Sequence, residues 1–185
     1  LGLLFLIFSL INNYSNQNYE DAKEKLIEAK DLLLDSFEKA NTIGKYYGLG
    51  SIGGVKTDRY RTEVNDGVFY AIARQPEVSE NFIKIESYSI NKILNSKKDV
   101  HAEMIGFETA AFFDAAARQP EIIDQLTISF EYITNSIFKV NEKEVYSLAY
   151  ASQSFYNSYA RQPDAGEDIW ASFKTYIDNL ASQSK

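Results

Sequence analysis

An all-α chain is the fold class this sequence predicts: three helical hairpins of about 44 residues each, packed as an α-solenoid or a multi-helix bundle and preceded by one long amphipathic helix. Three observations predict it. The string Ala-Arg-Gln-Pro occurs three times, with its arginines at 74, 118 and 161, so that successive copies stand 44 and 43 residues apart. Apolar residues recur at spacings of three and four, the period of one helix face, and no stretch sustains the alternation a strand requires. With only 3 Pro and 9 Gly in 185 residues, few positions can interrupt a helix.

The chain opens on the apolar run Leu1 to Ile11 (LGLLFLIFSLI). A membrane-spanning helix needs about 20 such residues, so this run is too short to span. Its length suits the apolar middle of a secretory signal peptide, whose charged leading segment would precede Leu1. The polar stretch NNYSNQ follows, without an A-x-A cleavage pattern. Residues 1–17 are therefore expected to be a truncated signal peptide or apolar leader. A membrane-inserting or assembly helix and a buried helix of the fold are the alternatives. Residues 18–185 are expected to form a single all-helical domain.

A long helix is expected over 19–44. Tyr19, Ala22, Leu26, Ala29, Leu33, Phe37 and Ala40 make one stripe, while Glu20, Lys23, Glu24, Lys25, Glu28 and Lys30 fall outside it. Asn18 is a suitable N-cap, with Glu20 and Asp21 near the positive end of the helix. The Gly-rich segment 48–54 (GLGSIGG) then breaks the chain.

Three repeats follow, over 57–97, 98–140 and 141–185. Around the corner they read AIARQPEV, AAARQPEI and SYARQPDA. An apolar or aromatic pair precedes each corner: Val68-Phe69, Phe112-Phe113 and Phe155-Tyr156. Eight residues past each arginine stand Phe82, Leu126 and Ile169, and nineteen past it Ile93, Ile137 and Leu180. The second helices of the later two units carry the stripes Leu126, Phe130, Ile133, Ile137 and Ile169, Phe173, Ile177, Leu180. The period lies between those of tetratricopeptide and HEAT-type helix pairs, but the residue patterns of neither are present.

Proline lacks an N–H and locks its own φ, so it suits the first position of a helix and disrupts an interior. It also drives the residue before it out of helical geometry. Each first helix is therefore expected to end near Arg, with Pro opening the second. Glu77, Glu121 and Asp164 then fall in a first turn, where negative charge is favoured, and arginine in a last turn, where positive charge is. A kinked continuous helix is the rival reading. Between units, Asp99, Asn141 with Glu144, and Thr57 or Asp58 are the expected caps. One hairpin cannot fold alone. Four large buried side chains contribute roughly 6–12 kcal/mol, while ordering dozens of residues costs about 1–2 kcal/mol each. The units must therefore pack on one another.

The chemistry-bearing residues are sparse. Gly48, Gly50 and Gly53 match G-x-G-x-x-G, but a long helix precedes them where a dinucleotide site needs a strand. The phosphate-loop spacing also fails, because Gly54 stands where lysine is required. With no cysteine and His101 as the single histidine, a zinc site lacks ligands. His101 is expected to be a surface or packing residue. Glu103, Glu108, Glu142 and Glu144 lack the Glu-x-x-His pattern of a bundle metal site and are expected on solvated faces. No nucleophile constellation is visible, so no enzyme activity and no cofactor are expected.

The candidate binding residues are Arg74, Arg118 and Arg161, Gln75, Gln119 and Gln162, with Tyr156 and Tyr159 from the tyrosine-rich third unit. Three guanidinium groups at like corners could present one edge to an anion, a glycan or an acidic partner. Alternatively each closes its own corner. A net charge of −7 opposes a nucleic-acid partner. The expected function is an exported, periplasmic or extracellular interaction or scaffold module. It would bind a protein partner or self-associate, with envelope association possible through residues 1–11. A subunit of an extracellular filament or surface assembly is the first alternative, and binding of a small molecule or glycan between repeats is the second. If the first helix of the middle unit faces inward as its pattern implies, Phe113→Ala lowers stability by about 3–5 kcal/mol in denaturant unfolding. Pro120→Ala is tolerated or mildly destabilising, and a neutral Phe113→Ala shows the facing to be wrong.

Overall fold

The residue before a proline is excluded from the α region, and the structure turns the chain there three times. A computed structural model describes residues 27, 64, 67, 68, 70–96 and 98–184. The expected leader at 1–17, the long helix at 19–44 apart from Ile27, the Gly-rich loop at 48–54 and the cap at Thr57 or Asp58 lie outside them. Ile27 is helical and exposed. The fold is all-helical, with no strand among the described residues. A helix ending at Arg74 is followed by α1 (Ser79–Leu94), α2 (Asp99–Arg118), α3 (Ile123–Ile137), α4 (Glu142–Arg161) and α5 (Gly166–Gln183).

The three corners share one backbone. Gln75 has φ −136° and ψ 69°, Gln119 −137° and 72°, and Gln162 −137° and 64°. Each glutamine N–H still donates to the carbonyl four residues back: Ala71 at 2.9 Å, Ala115 at 3.0 Å and Ser158 at 3.0 Å. The first helices therefore end at the arginine, as expected. One detail differs. Proline opens a single 3₁₀ turn (Pro76–Val78, Pro120–Ile122, Pro163–Ala165), and the α-helix begins only at the next residue. The tighter turn lets the glutamine carbonyl accept from Val78, Ile122 and Ala165, so the break leaves neither backbone group of the glutamine orphaned.

Of the links from α1 to α2 and from α3 to α4, the second has a side-chain cap. Asn141 caps α4, accepting from the backbone N–H groups of Lys143 and Glu144 at 3.1 and 3.2 Å, but the capping box is not closed: the Asn141 N–H donates to Ser184 Oγ at 3.3 Å rather than to Glu144. Asp99 is the first residue of α2 rather than its cap. Lys98 holds the cap position with no side-chain bond, and Asp99 contributes its charge to the first turn.

Packing centres on α2. It lies most intimately against α4, and it also contacts α1 and α3; α5 packs on α4 and α3. Phe112 on α2 meets Phe113, Phe130 and Tyr156, with ring centroids 5.6, 5.2 and 6.1 Å away. Phe113 reaches Phe82 of α1 at 6.1 Å. Leu126, Phe130, Ile133 and Ile137 of α3 are all fully buried. The corresponding stripe of α5 is less covered: Ile177 is buried, whereas Ile169, Phe173 and Leu180 are half-buried. The α5 helix has α3 and α4 on one side, and its exposed positions are mostly small or polar.

The last corner contains a size exchange. A Cβ added to Gly166 would lie 1.7 Å from Cε2 of Tyr159, whose ring occupies that space. At the same register the middle unit has Ala116 and Ile123, a small residue before the corner and a large one after it. Gly166→Ala should therefore destabilise by about 3 kcal/mol through overpacking. The pair Tyr159→Ala with Gly166→Ile copies the middle unit and should recover part of that loss in thermal unfolding. If the pair is as damaging as the sum of its single changes, the two sites are not exchanging volume.

Candidate functional site

Two places concentrate polar chemistry: the row of corners and a buried cluster between α2, α3 and α4. At the first corner, Arg74 is exposed and donates to the Tyr70 hydroxyl at 2.8 Å. Arg118 is half-buried. It pairs with the Asp114 carboxylate, donates to the Asp114 carbonyl at 3.0 Å, and reaches Asn157 of α4 at 2.8 Å. Arg161 is exposed and has no hydrogen bond or ion pair among the described residues. The three arginines thus behave differently although they stand in the same four-residue string. Tyr70, Asp114 and Asn157 all stand four residues before an arginine, and Arg118 spans from its own unit's residue to the next unit's.

The glutamines also diverge. Gln75 donates from Nε2 to the carbonyl of Ala117 at 3.1 Å, joining the first corner to the end of α2. Gln119 is half-buried and Gln162 exposed, and no side-chain bond joins either of them to another described residue. Tyr159 is buried against Gly166 and packs on Phe155, with centroids 5.7 Å apart. Tyr156 is fully buried. Neither tyrosine offers its ring to solvent. The exposed aromatics nearby are Tyr146 and Tyr150 on α4, 44% and 61% exposed, the latter lying against Phe107 at 5.3 Å.

The buried cluster corrects the expectation that Glu108 lies on a solvated face. Of the four acids, Glu142 is exposed, Glu103 and Glu144 are half-buried, and Glu108 is completely buried. Its two carboxylate oxygens accept from Thr134 on α3 and Tyr156 on α4, each at 3.0 Å. Next to it, Thr109 shares a hydrogen bond with Ser89 of α1 and donates to the Ile105 carbonyl at 2.6 Å. Desolvation pushes the Glu108 carboxyl well above the usual carboxylate range, with the two hydroxyl bonds acting in the opposite sense. Burial raises the Tyr156 hydroxyl as well, aided by the adjacent Glu108.

Glu86 on α1 is the second buried acid. Both its oxygens lack a hydrogen-bond partner among the described residues, and burial pushes its carboxyl up to about 8. His101 is buried and packs edge-on against Phe138 at 5.2 Å, with its pKa lowered mainly by desolvation and further by Lys98, against an opposing effect of Glu142. That is a packing histidine. Among the described residues, no three His, Asp or Glu side chains gather where they could hold a metal ion.

Sequence reasoning misses Glu86 and Thr134 and puts Glu108 on a solvated face, although a signal is present. Twelve residues past the corner arginine the units read Glu86, Phe130 and Phe173. Ten before it they read Val64, Glu108 and Ala151, and sixteen past it Ile90, Thr134 and Ile177. Each polar residue interrupts an otherwise apolar position, so repeat register alone marks its slot as buried. No family model, curated protein or solved structure matches the chain.

The two acids set the sign of the pH dependence. A carboxyl whose pKa is raised by folding contributes stability that is fully present below its ordinary value of 4.5 and is lost as pH rises through the raised value, here about 8 for Glu86. A shift of that size corresponds to a loss on the order of 5 kcal/mol. Glu86→Gln should match the wild type near pH 4.5 and exceed it at pH 8 in thermal unfolding. Parallel pH profiles for the two proteins would remove Glu86 as the cause.

Proposed function

We propose that the chain is a non-enzymatic helical-repeat module, exported from the cytoplasm, that offers the exposed face of α4 to a protein partner. The observation that carries the repeat reading is a bond made twice at one register. Fourteen residues past the corner, Tyr88 donates to Asn135 of the next unit at 3.4 Å, and Tyr132 donates likewise to Asp178. Other links also join positions about one period apart: Gln75 to Ala117, Asn81 to Asp124 at 3.4 Å, and Arg118 to Asn157. Hairpins stacked side by side in chain order account for this spacing, since each repeat then touches its neighbour at equivalent residues.

The binding role rests on the exposed Tyr146, Tyr150 and Arg161 of α4. Tyrosine and arginine are enriched where proteins meet, because each combines a broad apolar surface with hydrogen-bond donors. Arg161 has no internal partner among the described residues, so docking a carboxylate on it breaks nothing. Export rests on the apolar run at residues 1–11 alone.

A filament subunit is less well supported. At the register where Tyr88 and Tyr132 grip the next unit, the third has exposed Thr175, flanked by exposed Asp168 and Asn179. That surface suits an array that terminates in solvent. A test cross-links the full chain in an extract of its native envelope and repeats the capture with Tyr150→Ala/Arg161→Ala. The expected result is a specific partner lost in the variant while its melting temperature stays at the wild-type value. If no partner is captured by either protein, or the variant captures it equally well, the proposed face is wrong.

A further inference from the structure

Glu108, Thr134 and Tyr156 each break the repeat pattern, and the three breaks meet at one carboxyl. The equivalents of Glu108 are Val64 and Ala151; those of Thr134 are Ile90 and Ile177; those of Tyr156 are Phe69 and Phe113. All three polar side chains are fully buried. One oxygen of Glu108 takes the hydroxyl of Thr134 from its own hairpin, and the other takes the hydroxyl of Tyr156 from the next. Unrelated substitutions would leave orphaned polar atoms, yet here every departure supplies what another needs.

We propose that this trio is an address, fixing which hairpin packs against α2 and in which register. The proposal rests on the repeat reading above. Chains built of similar units risk pairing a hairpin with the wrong neighbour, in the same molecule or in a second copy. Shape alone discriminates weakly, because a phenylalanine, the residue of both sister units, fills nearly the same volume as Tyr156. A phenyl ring in that place would leave one oxygen of a buried carboxyl without its donor, and an unsatisfied buried group is costly. The carboxyl also makes the correct interface less stable than an apolar one of equal shape, the usual cost of a polar group that specifies pairing.

The groups facing Glu108 can be named for each helix around it. Tyr156 approaches from α4 and Thr134 from α3; from α1, Tyr88 has its pKa raised chiefly by burial and in small part by Glu108. No cation among them neutralises the carboxyl, so its oxygens depend on the hydroxyls of Thr134 in its own hairpin and Tyr156 in the next.

The test replaces the three residues by those of the sister units in the full chain: Thr134→Ile and Tyr156→Phe singly, then Glu108→Val/Thr134→Ile/Tyr156→Phe together. Each single change should lower the melting temperature by about 5 °C by stripping one donor from the carboxyl. The triple variant should melt at or above the wild-type temperature. After refolding from denaturant it should give more than one species by light scattering and duplicated amide signals by NMR, where the wild type gives one set. A triple variant that refolds to a single species with the wild-type pattern overturns the address. Strict additivity of the three changes does so too. Glu86→Phe separates this outcome from failure of the repeat reading. It restores the residue of both sister units, Phe130 and Phe173, and should raise the melting temperature at pH 8 whether or not the address exists. If Glu86→Phe and the triple variant both fail to fold, the register itself is wrong and the address falls with it.

Discussion

The steric conflict between a proline ring and the residue before it governs this molecule. A glutamine that cannot be helical ends one helix, and a proline with no N–H to satisfy starts the next. Because Gln75, Gln119 and Gln162 settle into the same dihedrals, the three corners turn the chain through one geometry. Beyond the corners, α2 lies along α4, and Tyr88 and Tyr132 bond α1 to α3 and α3 to α5.

Repetition also explains where the units differ. The α3 helix packs against α2, α4 and α5, and its stripe is wholly buried. The last helix has described neighbours on one side, and its stripe is buried only at Ile177. Gly166 and Tyr159 redistribute volume at the last corner without altering its backbone. Arg118 gains acceptors from Asp114 of its own helix and from Asn157 of α4, whereas Arg161 has no partner among the described residues. Identical strings therefore perform unequal work, and exposed ion pairs such as Arg118 with Asp114 add little to stability in any case.

The buried acids run against this economy. Glu86 and Glu108 occupy slots that sister units fill with apolar side chains, and desolvation makes each hold its proton far more tightly than a surface carboxyl. A fold already rich in buried Phe, Ile and Leu does not need them for cohesion. Glu108 has donors from two helices, so its neighbourhood is built around it. Glu86 has none among the described residues and is a pure cost to stability once ionised.

Helix class, the three corners and part of the core were legible in the sequence, because proline chemistry and apolar periodicity act locally. Ending the first helices at Arg118 and Arg161, capping α4 with Asn141 and burying Phe113 all followed from residues within a few positions of one another. The polar core was less legible. A glutamate in a helix reads as solvated unless its register in the repeat is weighed against its composition, and Glu108 was misplaced for that reason. Tyr156 and Tyr159 were candidates for contact with a ligand, and burial gives them other work. By itself, then, the sequence determined where the helices stop, start and turn inward, since those choices rest on backbone sterics and on hydrophobic spacing within one helix. Which repeated residues have partners is settled by packing, because Arg118 meets Asn157 and Glu108 meets Tyr156 across gaps of 39 and 48 residues. No local rule reaches across such a gap until the hairpins are packed.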